Sequence, residues 1–253
     1  DLISKALKMS PNLAEAHNNL GNVLREIGRS EEAISSYRKA LALKPDYAEP
    51  YYNLGITLHT LGKSSEAIVC YHKALELEPK QVRTHLNLAY ALRDLGRLEE
   101  AIKSYKDALT IDPNHSLARL YLGITYKDLG QLDNALNAFQ AKDSPEFKAH
   151  ALECLFTLGE YDRFYDTQAQ SSDVYKTNIR AAAISAFASQ QLGRTDPHPF
   201  CKRPLDFVRM YETIEGADEP DDFLDHIIGL LDNMDAVWEP RGKTTKGGFQ
   251  TRA

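Results

Sequence analysis

The sequence predicts an all-α protein of stacked repeats, because the same residue types return every 34 residues. A leucine followed by a small residue marks each unit, at Leu20-Gly21, Leu54-Gly55, Leu88-Ala89 and Leu122-Gly123. Four further columns keep the same step: Gly28, Gly62, Gly96 and Gly130; Ala33, Ala67, Ala101 and Ala135; Tyr37, Tyr71, Tyr105 and Phe139; and Pro11, Pro45, Pro79 and Pro113. A fixed period in this range is typical of solenoid proteins.

Each unit reads as a pair of helices. In Ala48–Leu61 the apolar and small residues recur at steps of three and four, which predicts one stripe of a helix. Gly62 ends that helix, because glycine takes the left-handed cap conformation at little cost. Ser64–Leu77 then restarts the stripe. Gly55 marks a close approach of the two helices, with Tyr71 as the bulky residue between them. One such pair cannot bury its own apolar face, so neighbouring pairs must stack.

The leucine-glycine, alanine, aromatic and proline columns resemble those of the tetratricopeptide repeat. The resemblance covers somewhat more than half of the chain, and it implies a right-handed helical solenoid. It also implies that the first helices of the repeats line a concave groove that binds a protein or peptide. Four full units follow from it, with the bounds Ala14–Tyr47, Ala48–Gln81, Val82–His115 and Ser116–Ala149.

The rest of the chain departs from this pattern in three places. Residues 1–13 match the end of a unit, so the chain is expected to be a fragment of a longer protein that opens inside a truncated repeat. Residues 150–193 are expected to form degenerate repeat-like helices at Pro145–Leu158, Tyr161–Ala169 and Val174–Leu192.

Residues 194–253 are expected to form a small irregular C-terminal segment outside the repeats. Leu205–Ile214 is rich in β-branched and aromatic residues, which favours one short strand. Asp221–Met234 has the period of an amphipathic helix, with acidic residues on its polar side. Trp238–Ala253 is polar, lacks a helix or strand period, and is expected to be loosely ordered.

Three asparagines, Asn19, Asn53 and Asn87, occupy the sixth position of the first helix in three successive repeats. An asparagine offers both donors and an acceptor, so a row of them can pair with the backbone of an extended peptide. The row resembles the asparagine ladder in the repeat domain of O-linked N-acetylglucosamine transferase, and it breaks at Tyr121. The alternative is that these amides only bond to neighbouring helices.

Around this row lie further candidates for contact with a peptide: Asn22, Tyr52, His59, Arg83, Tyr90 and Arg93. Aromatic rings with scattered arginines suit an anchor for a bound segment. Asn22, Asn53 and Arg83 also stand at three of the positions that a chaperone-tail clamp uses in this family. Asn18 and Asn87 replace the two cations that such a clamp needs, which removes most of the attraction for a terminal carboxylate and argues against that function.

The composition excludes several other classes of function. The formal charge is −6 and the isoelectric point is near 5.8, which gives no electrostatic case for nucleic acid. No apolar run is long enough for a membrane span. The three cysteines, Cys70, Cys154 and Cys201, are too few and too widely spaced for a disulfide framework or a zinc site, which favours an intracellular, cytoplasmic setting.

No catalytic residue, metal or cofactor is expected in this chain. Gly242-Lys243-Thr244 lacks the earlier glycine of a phosphate-binding loop. No histidine is followed two residues later by an acid, as the usual non-haem iron triad requires.

Two further hypotheses concern a larger assembly. Residues 200–207 and 238–251 resemble the segment that leads into a 2-oxoglutarate/iron oxygenase domain in some repeat-containing proteins. The chain would then be the non-catalytic, substrate-presenting part of an oxygenase, or alternatively of a glycosyltransferase. Self-association is the other hypothesis, through an exposed end of the solenoid or the helix at Asp221–Met234, since open solenoid ends expose apolar surface.

Overall fold

The computed structural model describes residues 13–170, 178–194, 236–238 and 249–251. These residues form helices and one short pair of strands. The helices are α1 Ala14–Glu26, α2 Ser30–Leu43, α3 Ala48–Thr60, α4 Ser64–Leu77, α5 Val82–Asp94, α6 Leu98–Ile111, α7 Ser116–Asp128, α8 Leu132–Gln140, α9 Pro145–Thr157, α10 Tyr161–Ala169 and α11 Ile179–Gln191; the strands are β1 Ala236–Trp238 and β2 Phe249–Thr251.

The chain divides into two compact units, Asp1–Leu129 and Gly130–Ala253. In the described part of the first unit, each of the helices α1 to α6 packs against the next one along the chain. The odd-numbered helices also touch, α1 against α3 and α3 against α5. Because each helix pair contacts only its neighbours, the unit is a stack of repeats, and the all-α repeat fold is confirmed.

The core of the first unit is built from the small and aromatic columns of the sequence. Tyr37, Tyr71 and Tyr105 are fully buried. A Cβ placed on Gly55 would lie only 2.5 Å from Cε1 of Tyr71, and Gly21 stands in the same relation to Tyr37. Since real Cβ atoms do not approach so closely, glycine is what allows each first helix to press against its tyrosine.

The turns inside the pairs also follow the sequence. Gly62 has φ +75°, which is the left-handed cap expected after the first helix. Its amide donates to the carbonyl of His59, and the amide of Lys63 donates to the carbonyl of Leu58. These bonds satisfy the carbonyls that the end of α3 would otherwise leave unpaired.

In the second unit, α9 packs against α8, α10 and α11. Because α9 has three neighbours, it is buried on most sides, and Leu152, Cys154 and Leu155 are fully inaccessible. Helix α8 ends at Gln140, two residues before Lys142 replaces the alanine of the repeat pattern. The loss of the repeat pattern at this point therefore coincides with a shortened helix.

The two strands pair in antiparallel fashion, with Ala236 opposite Thr251 and Trp238 opposite Phe249. Trp238–Ala253 was expected to contain no strand, and this expectation is wrong at Phe249–Thr251. Three residues are too few to show an alternating pattern, so the ladder leaves little trace in the sequence. Residues 1–12, the strand expected at Leu205–Ile214 and the helix expected at Asp221–Met234 lie outside the described residues. None of the described helices combines the length and the apolar character needed to cross a bilayer.

Candidate functional site

The nine candidate residues all lie on α1, α3 and α5, the three odd-numbered helices that touch one another in the first unit. We call the surface that they form, together with the corresponding positions of α7, the first-helix face. It is defined by Asn19 and Asn22 on α1, by Tyr52, Asn53 and His59 on α3, and by Arg83, Asn87, Tyr90 and Arg93 on α5.

The three asparagines of the expected row are not equivalent. Asn19 is exposed and Asn87 is half-buried, whereas only 5% of Asn53 is accessible. Nδ2 of Asn53 donates to Oδ1 of Asn18 at 3.1 Å, and Nδ2 of Asn87 donates to the hydroxyl of Tyr52 at 3.0 Å. Asn53 and Asn87 thus each bond to a neighbouring first helix through one N–H.

Contacts between neighbouring first helices follow a step that differs from the repeat by one residue. Asn18 and Asn53 are 35 residues apart, as are Tyr52 and Asn87. The same separation joins two further pairs, with Nε2 of His59 at 2.6 Å from Oδ2 of Asp94 and Nε of Arg93 donating to Oδ2 of Asp128 at 3.0 Å.

Aligning the repeats at a step of 34 puts like residues in one column but does not show which of them touch. The partners Asn18, Asp94 and Asp128 were therefore missing from the nine candidates. Complementary residue pairs at a spacing of 35 are the signal that could have found them.

Tyr52 lies at the centre of the first-helix face. The guanidinium of Arg83 stands over its ring, 4.6 Å from the ring centroid, within the range of a cation–π interaction. Burial raises the pKa of the Tyr52 hydroxyl, while the charges of Arg83 and Arg25 and the bond from Asn87 oppose that rise. The hydroxyl stays neutral at physiological pH, so it can still donate a hydrogen bond.

A second aromatic group surrounds Tyr90. Its ring packs edge-on against Tyr105 and Tyr121, with centroids 5.9 Å and 4.8 Å away. Burial raises the pKa of Tyr90 to about 12. Arg93 stands 6.0 Å from the centroid of Tyr121. Tyr121, which breaks the asparagine row, thus replaces an amide contact with an aromatic one.

Asn22 is tied to the core of the first unit. Its Oδ1 accepts a hydrogen bond from the hydroxyl of Tyr37 at 2.8 Å. Ile56 stands at the same position of the next repeat, and there the hydroxyl of Tyr71 is buried with no hydrogen-bond partner among the described residues. Asn22 is thus partly a structural residue, although part of its surface remains accessible.

The chemistry of the face is that of recognition. It offers amides, phenol hydroxyls, aromatic rings and guanidinium groups, which bind through hydrogen bonds, stacking and charge. Across the described ranges, no three His, Cys, Asp or Glu side chains are placed to hold a metal ion. Burial raises the pKa of the Cys70 thiol to about 11, so this thiol stays protonated and unreactive at neutral pH.

Comparison with protein families matches the first half of the chain. A model described as TPR repeat matches residues 21–62 and 89–130. Two models described as Tetratricopeptide repeat match residues 48–81 and residues 2–35 and 70–103. Together the matches run from residue 2 to residue 130 without a gap. None reaches residues 200–251, so the oxygenase resemblance of that segment stays a prediction.

Solved structures of similar fold include three that cover most of this chain or most of their own. YrrB, described as a TPR protein with an unusual peptide-binding site, has a TM-score of 0.63 at 22% identity, covering 72% of this chain and 96% of its own. MamA has a TM-score of 0.53 at 27% identity, with 63% and 88% covered. The protein pilF of Pseudomonas aeruginosa has a TM-score of 0.58 at 20% identity, with 86% and 97% covered. Comparison with curated proteins gives no match.

Proposed function

Since the chain belongs to the tetratricopeptide repeat family, we propose that it is a protein-interaction module whose first-helix face binds an extended segment of a partner protein. The observation that carries the proposal is the character of that face. Amides, tyrosine rings and an arginine remain accessible on three touching helices, at Asn19, Tyr52, Arg83, Asn87 and Tyr90.

The three asparagines take different roles in this proposal. Asn19 is exposed and can offer its whole amide to a partner. One N–H of the Asn87 amide donates to the hydroxyl of Tyr52. The second N–H and the carbonyl oxygen remain available to the backbone of a bound segment. Asn53 is a positioning residue, because its buried amide holds α3 to α1 through Asn18.

The two tyrosines supply contact area. Tyr52 and Tyr90 are half-buried and each is held by neighbouring groups, Tyr52 by Arg83 and Asn87 and Tyr90 by Tyr105 and Tyr121. A ring that is already fixed loses little conformational entropy when it is covered by a partner. YrrB, whose description names a peptide-binding site, shares the fold; at 22% identity the likeness supports the fold, and the binding proposal rests on the residues above.

The test uses a displayed library of random peptides of about a dozen residues, selected on the full chain. We expect Asn19→Ala combined with Asn87→Ala to weaken the selected peptides about tenfold, because hydrogen bonds to the peptide backbone are lost. Ser35→Ala combined with Lys39→Ala is the matched control, since both residues are exposed on the second helix α2. Circular dichroism checks that both variants keep their helices. If the selected peptides bind the variant with Asn19→Ala and Asn87→Ala as well as they bind the unmodified chain, this face is excluded as the binding site.

Self-association and a cytoplasmic location stay predictions. Sedimentation of the full chain over a range of concentrations tests the first of them. A protein that is monomeric at every concentration would exclude self-association.

A further inference from the structure

We propose that the bound segment carries an acidic group that lies between Arg25 and Arg83 beside Tyr52, and an apolar side chain that contacts α7 at Leu117. This rests on the proposed function and adds the chemistry of the partner to it. The occupant is thus an extended, acidic segment of another protein with one aliphatic or aromatic anchor.

The first argument is that, among the residues that the structure describes, neither of these two arginines has an acidic ion-pair partner. Nε of Arg83 donates to the neutral side chain of Gln81 at 2.9 Å. Nη1 of Arg25 is buried without any hydrogen-bond partner. By contrast, Nε of Arg93 is paired with Asp128 at 3.0 Å. Arg25 is half-buried and Arg83 is exposed, and a cation without a counter-charge favours an anion brought by a ligand.

The second argument comes from the spacing of 35 between neighbouring first helices. His59 and Arg93 each meet an acid at that distance in the sequence, Asp94 and Asp128. Arg25 stands one repeat before His59, and the residue 35 positions after it is Thr60. The series of inter-repeat contacts with an acid therefore begins one repeat too late to neutralise Arg25.

The third argument is that both arginines act on the same tyrosine. The guanidinium of Arg83 is 4.6 Å from the Tyr52 ring centroid, and the charge of Arg25 also acts on the Tyr52 hydroxyl and on the buried hydroxyl of Tyr71. The chain as a whole carries a charge of −6. A local concentration of positive charge in an acidic chain gives complementarity to an acidic partner.

The apolar contact is inferred from the residue at the second position of each first helix, which changes from one repeat to the next. That position holds Glu15, Glu49 and Arg83 in the first three repeats and Leu117 in the fourth. Leu117 is 52% exposed, and Tyr121 lies on the same helix one turn further on, against Tyr90. Covering this leucine removes apolar surface from water, so an apolar side chain of the partner is favoured there.

The geometry sets the spacing of the two anchors. Neighbouring helices stand about 10 Å apart, and an extended chain advances about 3.3 Å per residue. One to two helix spacings separate the Tyr52 region from α7, so the acidic and apolar residues of the partner are separated by about three to six residues.

The test uses fluorescein-labelled peptides with a glycine and serine framework, carrying two glutamates and a leucine about five residues further on. Anisotropy measures their affinity for the full chain. We expect replacement of the glutamates by glutamine, or of the leucine by alanine, to weaken binding about tenfold. Added salt should weaken the binding of the glutamate peptide and leave the binding of the glutamine peptide nearly unchanged.

Variants of the protein then assign the contacts. Arg83→Gln and Arg25→Gln should each reduce the preference for glutamate over glutamine, and Arg83→Lys should restore part of it. Leu117→Ala should remove the preference for leucine over alanine. Arg38→Gln is the matched control, because Arg38 is exposed on the second helix α2. Thermal unfolding of each variant checks that the fold is retained.

The outcomes separate the two proposals. If library peptides bind and lose affinity on Asn19→Ala with Asn87→Ala, but glutamate and glutamine peptides bind equally, the acidic partner is excluded and the binding face stands. If neither the designed peptides nor any library peptide binds, both proposals are overturned. If Arg38→Gln and Arg83→Gln weaken peptide binding equally, the effect is one of net charge, and the assigned site is overturned.

Discussion

Three tyrosines occupy one position in consecutive repeats, yet their hydroxyl groups meet different surroundings. The hydroxyl of Tyr37 donates to Asn22 at 2.8 Å. Those of Tyr71 and Tyr105 are buried and have no hydrogen-bond partner in the part of the chain that the structure describes, and burial raises the pKa of both. All three rings are fully buried, so the partner of the hydroxyl is the difference that bears on hydrogen bonding.

Replacing Tyr37 by phenylalanine should therefore affect stability differently from the same replacement at Tyr71 or Tyr105. We expect Tyr37→Phe to lower the free energy of unfolding by about 1 kcal/mol, because a hydrogen bond is lost. Tyr71→Phe should leave it unchanged or raise it by about 1 kcal/mol, because an unpaired buried hydroxyl is removed. Urea denaturation measures the difference, with Tyr105→Phe as a second example of the unpaired case. A loss in Tyr71→Phe equal to that in Tyr37→Phe would show that the Tyr71 hydroxyl has a partner.

At the scale of single residues, the sequence predicted which residues occupy corresponding positions better than it predicted which residues touch. It placed Gly55 against Tyr71, and the distance of 2.5 Å to a built Cβ confirms the close approach. It aligned Asn53 with Asn19, but Asn53 touches Asn18. The offset of one residue comes from how neighbouring helices are positioned against each other. Sequence period carries no information on that relative position, since it fixes only which residues share a face of one helix.

At the scale of elements, the contact between α1 and α3 depends on a buried pair of amides. Asn18 is fully buried and Asn53 is 5% exposed, and a single hydrogen bond of 3.1 Å joins them. Their neighbour Asn19 is exposed. Because the two buried amides satisfy each other in part, removing one leaves the other with an unpaired polar group in the interior.

We expect Asn53→Ala to lower the free energy of unfolding by about 1–3 kcal/mol for this reason. Asn18→Ala should cost a similar amount, and the double variant should cost less than the sum, since the bond is removed only once. Asn19→Ala is the matched control and should stay within about 0.5 kcal/mol. Denaturant unfolding of the four proteins gives the coupling energy. Strict additivity of the two buried substitutions would contradict the contact.

The limits of the helices were predicted well where turn chemistry marks them. Helices α3 and α4 begin at the expected residues, Ala48 and Ser64, and Gly62 adopts the positive φ between them. The short strand Phe249–Thr251 was missed, because its partner and not its own pattern defines it. The nine candidate residues lie on helices that touch one another, but the division between structural and accessible side chains depends on packing that no single repeat encodes.

At the scale of the whole molecule, a solenoid gains stability from each repeat and from each contact between repeats. In the described part of the first unit, α1 to α7 supply a continuous series of such contacts. All the candidate residues and both proposed anchors, Arg83 and Leu117, lie within it. The first unit should therefore carry both the fold and the binding surface.

We expect a fragment of residues 1–129 to fold and to unfold cooperatively, and to bind the selected peptides within about threefold of the full chain. A fragment of residues 14–81, with only two repeats, should be largely unfolded, because at least three repeats are needed to bury a continuous core. Far-ultraviolet circular dichroism during thermal and urea denaturation distinguishes the two. Helical signal in the longer fragment without peptide binding would place part of the recognition surface beyond residue 129. Loss of helical signal in the longer fragment would show that the stack needs helices from the second unit to complete its core.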